Sequence, residues 1–312
     1  MVTRVAVAIL RKKAIVVLVI SVATMSVAAE VMTRIFGYSD FPLYDISDDI
    51  GYIPRPSQNG FFQRKNDWYF NAMSMPTARE WQPDISPKIF LIGNSIVMGG
   101  NPFPQREKLG PLIERGMVSG RIIWPIATGG WTQLNQFAYL KANAEKINSA
   151  DYVMWEYMSG ALNRKTEWKG EYVFPTQRVM CAFCYLFRRY ILPRILILNE
   201  NNELPVSGLI TREHVIEFEN IINTVFSRNT HRGFIWLYPT AHELTIARSG
   251  REWLPERKEI EAVATKEGLR IVDVAKFPQW DTHLYSDGVH PTNEGNEQLA
   301  KILATEMMKD GL

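Results

Sequence analysis

Five short apolar runs, rich in β-branched and aromatic residues, recur along the chain after residue 87. They lie at 88–93, 121–126, 151–157, 233–238 and 270–274. Runs of this length and composition predict buried strands. The amphipathic segments between and after them predict helices at about 105–117, 132–148, 211–229, 255–267 and 292–308. Strands that alternate with helices predict a five-stranded parallel sheet covered on both faces, a three-layer α/β/α domain.

The N-terminal pattern is different, because Ala14 to Ala29 is an uncharged apolar run that follows Arg11-Lys12-Lys13. Positive charge before such a run places the N-terminus in the cytoplasm. Residues 1–37 are therefore either a signal peptide cleaved after Ala29 or a retained signal anchor. We expect the anchor, since the apolar character continues to Phe36. The expected location is the inner membrane, single-pass, with the main domain in the periplasm of a Gram-negative cell; cleavage would release it there.

The remaining chain divides into two parts. Residues 38–87 are rich in Pro, Gly, Asp, Asn and aromatic residues, and we expect an ordered juxtamembrane segment that packs on the main domain. Residues 88–312 form the α/β domain, with an insertion at about 159–210. The middle of the insertion, 179–194, is apolar with basic residues at one end. It either docks to the bilayer or a membrane-bound acyl carrier, or is a core helix under one end of the sheet.

Composition narrows the function classes. The 312 residues are 46% hydrophobic and 22% charged, with a net charge of +2, which is typical of a globular chain. No basic stripe or zinc-finger spacing suggests nucleic acid, and no His/Cys/Asp/Glu spacing suggests a metal site. No glycine-rich phosphate loop appears, so we expect no nucleotide cofactor. Cys181 and Cys184 either pack as free thiols or form a disulfide.

The candidate chemistry lies at the two ends of the domain. Ser95 follows Gly93-Asn94 where the first predicted strand ends. A serine at such a corner has an exposed hydroxyl and a free N–H, as a nucleophile needs. The same residues are also typical of an ordinary turn that caps a helix. Asp287 and His290 precede the last helix. A histidine beside a carboxylate acts as a general base, and parallel strands present such loops at one sheet edge. Ser95, His290 and Asp287 are therefore candidates for nucleophile, base and orienting acid.

Together these motifs resemble the SGNH or GDSL hydrolase superfamily, over about residues 88–310. Gly93-Asn94-Ser95 with Gly99 is similar to its first block, with Asn in place of the usual Asp. Thr128-Gly129-Gly130 is similar to the second, with Gly130 the better match. Asp287-Gly288-Val289-His290-Pro291 is similar to the last, Asp-x-x-His-Pro. The resemblance implies a flavodoxin-like sheet and a serine hydrolase site.

The resemblance also implies an oxyanion hole made by the N–H groups of Ser95 and Gly130 and an Asn side chain after the third strand. The chain departs from the pattern here, because Gly160 occupies the place of that Asn. Either Asn163 reaches in, or Asn94 helps, or the hole has two backbone donors.

Membrane-anchored relatives that O-acetylate polysaccharides often lose this Asn. Gly51-Tyr52 with Pro56 and an Asn-centred segment at Asn71 also resemble them, and His242 lies in a loop similar to that of the alginate O-acetyltransferase group. The resemblance implies acyl transfer to a polysaccharide acceptor, with the acyl donor delivered by a membrane-bound acyltransferase. Two alternatives stay open: an envelope carbohydrate esterase or lipase that uses water, and a non-catalytic assembly or glycan-binding protein on the same fold.

Overall fold

The computed structural model describes residues 2–117, 120–147, 150–192, 211–226 and 232–311. The chain begins with one long helix, α1 (Val2–Ile35), whose stretch Lys12–Ile35 is long and apolar enough to cross a membrane and is exposed over most of its length. This helix fits a signal anchor or single-pass segment. A signal sequence meets the same criterion, so the choice between the two predicted outcomes stays open.

Two small antiparallel hairpins follow α1. Strands β1 (Tyr44–Ser47) and β2 (Gly51–Pro54) form the first, and β3 (Gln58–Phe62) and β4 (Asn66–Phe70) form the second. Half-buried and exposed residues alternate along β3, and buried and half-buried residues alternate along β4, as expected when one face of a hairpin is more deeply packed than the other.

The main domain is built on the predicted five-stranded parallel sheet. Its strands are β5 (Ile89–Gly93), β6 (Ile123–Ala127), β7 (Tyr152–Tyr157), β8 (Arg232–Leu237) and β9 (Arg270–Asp273). They are ordered β6-β5-β7-β8-β9, the flavodoxin-like order in which the first strand lies beside the second and the third. Every residue of β5, β6 and β7 is buried, so helices cover both faces. The predicted fold class is confirmed.

The helices lie between and after the strands. They are α2 (Ser95–Met98), α3 (Leu109–Gly116), α4 (Gln133–Ala142), α5 (Ala144–Ile147), α6 (Ala182–Leu186), α7 (Arg212–Phe226), α8 (Ala241–Arg248), α9 (Arg257–Lys266) and α10 (Asn293–Met308). The sequence reading missed α8, which begins at a capping box formed by Thr240 and Glu243. It also joined α4 and α5 into one helix, whereas the chain breaks at Asn143.

Residues 38–87 share their packing with the main domain. Tyr52, Trp68 and Phe70 are buried in the same hydrophobic cluster as the strands of the large sheet. The Tyr52 hydroxyl donates a 2.7 Å hydrogen bond to the Gly129 carbonyl, which ties the first hairpin to the loop after β6.

The Asn135 side chain on α4 is a second tie, and it is fully buried. Its amide nitrogen donates to the carbonyls of Ile50 and Thr166, at 2.6 and 2.7 Å, and its oxygen accepts the N–H groups of Thr132 and Thr166. One side chain therefore joins the N-terminal hairpin, α4 and the insertion.

The described part of the insertion is not a core helix under the sheet. Helix α6 packs through Tyr185 with Phe41 and Leu43 in a small cluster separate from the main core, and the π-helical turn that follows at Phe187–Ile191 buries none of its residues. Cys181 and Cys184 form a disulfide at the start of α6. Residues 193–210 of the predicted insertion lie outside the described residues.

We predict that Asn135→Ala lowers the free energy of unfolding by at least about 3 kcal/mol, because it leaves several buried backbone groups without partners. Urea denaturation of the full chain in mild detergent, followed by tryptophan fluorescence, measures the change. The exposed Asn59 offers a matched control, and Asn59→Ala should stay within about 0.5 kcal/mol of the parent. Equal stability of the two variants would contradict the role assigned to Asn135.

Candidate active site

Ser95 lies at the corner where β5 ends and α2 begins. Asn94 is the N-cap of α2, and its side-chain oxygen accepts the N–H of Ile96 at 3.0 Å. The cap turns the chain sharply after Gly93, so that Ser95 is half-buried at the carboxyl edge of the sheet. This edge is where parallel sheets bind their ligands.

The loop that carries Asp287 and His290 is closed by backbone bonds at its two ends. Ser286 donates its N–H to the His290 carbonyl at 2.7 Å, and Tyr285 forms a bridge with Pro291. The hydroxyl of Tyr238, just after β8, donates to the Val289 carbonyl at 2.8 Å. These contacts hold the loop against the same sheet edge as Ser95.

The structure brings the three predicted side chains into one relay. His290 Nε2 lies 2.9 Å from Ser95 Oγ, and His290 Nδ1 lies 2.8 Å from Asp287 Oδ2. A carboxylate at Nδ1 requires the proton there, which leaves Nε2 as an acceptor for the serine hydroxyl proton. The geometry is that of a nucleophile, a general base and a group that orients the base.

Asp287 is held in its ionised form. Partial burial raises its pKa, but the His290 N–H, the His290 ring and the Val289 N–H all bond to its carboxylate, and the net effect is a pKa below the usual value. The His290 N–H donates to Oδ1 at 2.8 Å, so one carboxylate both closes the loop and faces the imidazole. An anion at this position stabilises the imidazolium that forms when His290 takes a proton.

Gly130 offers a free backbone N–H in the loop after β6, next to Gly129, where a Cβ would lie 3.9 Å from Ser95 Cβ. Within the described residues, neither the Ser95 N–H nor the Gly130 N–H donates to a protein acceptor. The neighbouring Gly129 N–H is occupied, since it donates to Met98 Sδ, which leaves Gly130 as the donor of this loop. Gly130 has φ of +78°, and a Cβ there would lie 2.9 Å from the Tyr52 hydroxyl oxygen. Its conformation and its close neighbour both favour glycine.

The asparagine donor that the sequence resemblance led us to expect after β7 has no counterpart at Gly160. The Asn94 amide is engaged, with its oxygen in the α2 cap and its nitrogen 3.1 Å from Met158 Sδ. Gly160 donates its N–H to the buried Glu256 carboxylate at 2.6 Å, so this N–H is occupied as well. Asn163 makes a single hydrogen bond in the described part of the chain, from its N–H to the Gly160 carbonyl. The N–H groups of Ser95 and Gly130 stay the expected backbone donors, and Asn163, whose side-chain oxygen is buried and unpaired within the described ranges, stays the candidate for a third.

Glu156 is a residue of the site that the sequence reading missed. It lies on β7, is 1% exposed, and accepts the Asn94 N–H at 2.8 Å through Oε2. A Cβ on Gly93 would lie 2.2 Å from that oxygen, so the missing side chain of Gly93 makes room for the carboxyl group. Burial raises the pKa of Glu156 to about 8, against the lowering effect of the Asn94 N–H. A neutral acid therefore supports the nucleophile turn at neutral pH.

The other histidines stand apart from the relay. His242 is in the first turn of α8 rather than in the predicted loop, and no hydrogen bond joins it to the relay within the described residues. His283 is exposed and lies 3.6 Å from Asp281. Across the described ranges, no three His, Cys, Asp or Glu side chains are grouped so that they could hold a metal ion.

Comparisons with known proteins gave fold likenesses only. No family model matches the chain, and no curated protein matches it. Among solved structures, a catalytic mutant of an acetylxylan esterase from Geobacillus stearothermophilus is 16% identical, covering 71% of this chain and 94% of its own, with a TM-score of 0.41. A carbohydrate acetylesterase family member from Sinorhizobium meliloti is 12% identical, covering 72% and 100%, with a TM-score of 0.37. A lipolytic G-D-S-L family member from Veillonella parvula is 12% identical, covering 71% and 98%, with a TM-score of 0.40. TM-scores this low carry no weight for function.

We predict a pH-dependent stability difference between the parent and Glu156→Gln. The unfolded chain releases the Glu156 proton near the ordinary pKa of 4.5, whereas the folded chain keeps it up to about pH 8. Rising pH therefore favours the unfolded state of the parent between these two pKa values. Across that range the free energy of unfolding of the parent should fall, relative to that of Glu156→Gln, by up to about 1.4 kcal/mol per pH unit. Denaturation at a series of pH values measures this. The exposed Glu297 offers the control, and Glu297→Gln should follow the parent at every pH. If the free energies of unfolding of the parent and Glu156→Gln changed with pH in parallel, the raised pKa assigned to Glu156 would be wrong.

Proposed function

We propose that the protein is an SGNH-type serine acyltransferase of the cell envelope, anchored by α1, which moves an acyl group to a polysaccharide hydroxyl through an acyl-serine intermediate. The observation that carries the proposal is the relay from Ser95 Oγ through His290 to Asp287, at 2.9 and 2.8 Å, beside the free N–H groups of Ser95 and Gly130. The sequence motifs support the superfamily, since three of them fall on one sheet edge in the expected order.

The first half of the reaction follows from these atoms. Ser95 Oγ attacks the carbonyl carbon of an ester or thioester donor while His290 Nε2 takes the hydroxyl proton. The N–H groups of Ser95 and Gly130 stabilise the oxyanion that forms. Collapse of the adduct breaks the bond to the donor's oxygen or sulfur, and His290 returns the proton to this leaving group. The products are acyl-Ser95 and the free donor alcohol or thiol.

The second half runs the same steps with an acceptor. A sugar hydroxyl attacks the acyl carbon, its proton goes to His290 Nε2, and Ser95 leaves with that proton. Asp287 stays ionised throughout, consistent with its lowered pKa. Two features favour a sugar as acceptor: the third-block asparagine is missing, as it often is in the anchored O-acetyltransferases that the sequence resembles, and α1 offers a membrane anchor.

Hydrolysis is the second candidate, and one observation favours it. The His290 side chain is 42% exposed and that of Asp287 57%, so water has access to the base. An esterase would use the same relay with water in place of the sugar hydroxyl.

The experiment that tests the proposal uses the full chain purified in detergent and an activated acetyl ester, with and without envelope oligosaccharides. We expect the leaving group of the ester to be released faster when the oligosaccharide is present than when it is absent. We also expect mass spectrometry to detect an acetylated sugar. Equal release with and without the sugar, and no acetylated sugar, would establish hydrolysis instead. Absence of any Ser95 adduct with a serine-directed phosphonate would point to the non-catalytic alternative.

We predict that Ser95→Ala abolishes ester turnover, with a loss on the order of a million-fold, because the nucleophile is removed. Asp287→Asn should lower the rate roughly 10,000-fold, since the imidazole loses its orienting anion. His283→Ala is the matched control for His290→Ala, because His283 also lies beside an aspartate but is remote from Ser95 in the hydrogen-bond network. A large loss in His283→Ala, or full activity in Asp287→Asn, would refute the assigned roles.

A further inference from the structure

The described end of the insertion carries an apolar ridge, which we define as Met180, Phe183, Phe187 and Ile191. Met180 is 96% exposed and Ile191 42% exposed. The last three residues are spaced four apart on consecutive helical turns, which places them on one side of the segment, and the rings of Phe183 and Phe187 are in contact. Phe183 and Phe187, which lie between Met180 and Ile191, are half-buried. A row of large apolar side chains that reaches the surface in this way indicates a surface that meets something other than water.

The ridge is bonded directly to the last turns of α1. The Glu30 carboxylate accepts the N–H groups of Ala182 and Phe183, at 3.1 and 2.8 Å. Arg34 donates to the Met180 carbonyl at 2.7 Å and also pairs with Glu30 at 2.6 Å. These bonds hold the ridge level with Glu30 along the helix axis.

The geometry of α1 then sets the depth of the ridge, if α1 spans a membrane as proposed above. The uncharged run Ala14 to Ala29 has sixteen residues and is about 24 Å long at 1.5 Å per residue. The hydrocarbon layer of a bilayer is about 30 Å thick. A span this short places Glu30 at the boundary of that layer, and groups bonded to Glu30 share its depth. Its pairing with Arg34 and two N–H groups lowers the cost of a carboxylate there.

The charges around the ridge fit the same surface. Arg188 lies over the ring of Tyr172, 3.9 Å from its centroid, and Arg189 lies 5.4 Å from the centroid of Tyr190. Arginine and tyrosine are typical of membrane interfaces, where the apolar part of the side chain faces lipid and the polar end faces headgroups. The exposed apolar surface of α1 continues directly into the ridge, which favours the bilayer over a protein partner.

We propose that the ridge lies in the membrane interface on the non-cytoplasmic side, with its apolar side chains among the upper acyl chains and Arg188 and Arg189 at the level of the lipid phosphates. The inference rests on the proposed anchor. It makes the insertion a second membrane contact, which fixes the orientation of the domain as well as its attachment.

The test places an environment-sensitive fluorescent amino acid at position 180 of the full chain, reconstituted into phosphatidylcholine and phosphatidylglycerol vesicles. The matched control places it at position 308, where a second exposed methionine ends α10. We expect nitroxide-labelled lipid to quench position 180 and aqueous iodide to quench position 308, with the opposite quencher weak at each. Iodide quenching of position 180 equal to that of position 308 would overturn the inference.

A carbonate wash separates this result from failure of the proposals on which it rests. Carbonate-resistant protein with an iodide-accessible position 180 refutes the ridge but leaves the anchor standing. Extraction by carbonate refutes the anchor and the ridge together, while turnover of a soluble acetyl ester still reports separately on the acyl chemistry.

The Glu30→Ala variant tests the hydrogen bonds between Glu30 and the start of the ridge. Val31 is exposed, so Val31→Ala serves as the control. We expect iodide quenching at position 180 to rise in Glu30→Ala and to stay unchanged in Val31→Ala. Unchanged quenching in both variants would show that Glu30 does not set the depth of the ridge, against the inference.

Discussion

The parallel register of β5 with its two neighbours decides which residues lie side by side at the carboxyl edge of the sheet. Gly93 pairs with Ala127 on β6, and Ile92 pairs with Trp155 on β7. The residues that follow these pairs therefore emerge side by side: Ser95 after β5, Gly130 after β6 and Glu156 at the end of β7. The ladder of backbone bonds brings these three residues together, whereas the loop of Asp287 and His290 is held at the same edge by its own contacts, among them the bond from the Tyr238 hydroxyl to the Val289 carbonyl.

Two carboxyl groups serve this edge in opposite protonation states. Asp287 is in an exposed loop, and three donors keep it ionised. Glu156 is buried beneath the turn, and desolvation keeps it neutral up to about pH 8. When their surroundings move the pKa values of two carboxyl groups apart in this way, the two groups can play different roles at the same pH. The anion faces the imidazole of His290, whereas the neutral acid accepts the N–H of Asn94, the residue before Ser95.

Much of this edge could be predicted from sequence, and the reasons for the exceptions are physical. Apolar runs mark buried strands directly, so all five strands were placed to within two residues. Glu156 was missed because a single charged residue in a strand says nothing about burial until the sheet is covered on both faces. Helix α8 was missed although Thr240 and Glu243 signal its start, because a Pro-containing loop was expected there. The bonds from Glu30 to α6 join residues about 150 positions apart, and no local pattern encodes them.

The insertion links the proposed membrane contact to the site through a short stretch of chain. Phe174 stacks on Tyr52, with ring centroids 4.0 Å apart, and its ring edge lies 3.6 Å from where a Gly130 Cβ would be. Met180 lies six positions after Phe174, and six residues reach at most about 22 Å when fully extended. The Gly130 N–H, which we propose as a donor to the oxyanion, is thus within one short span of the ridge. An acyl donor presented at the membrane surface would then have to travel little more than that distance to reach Ser95. A domain attached to the membrane by α1 alone could swing away from the surface and would not keep Ser95 so close to the acyl donor.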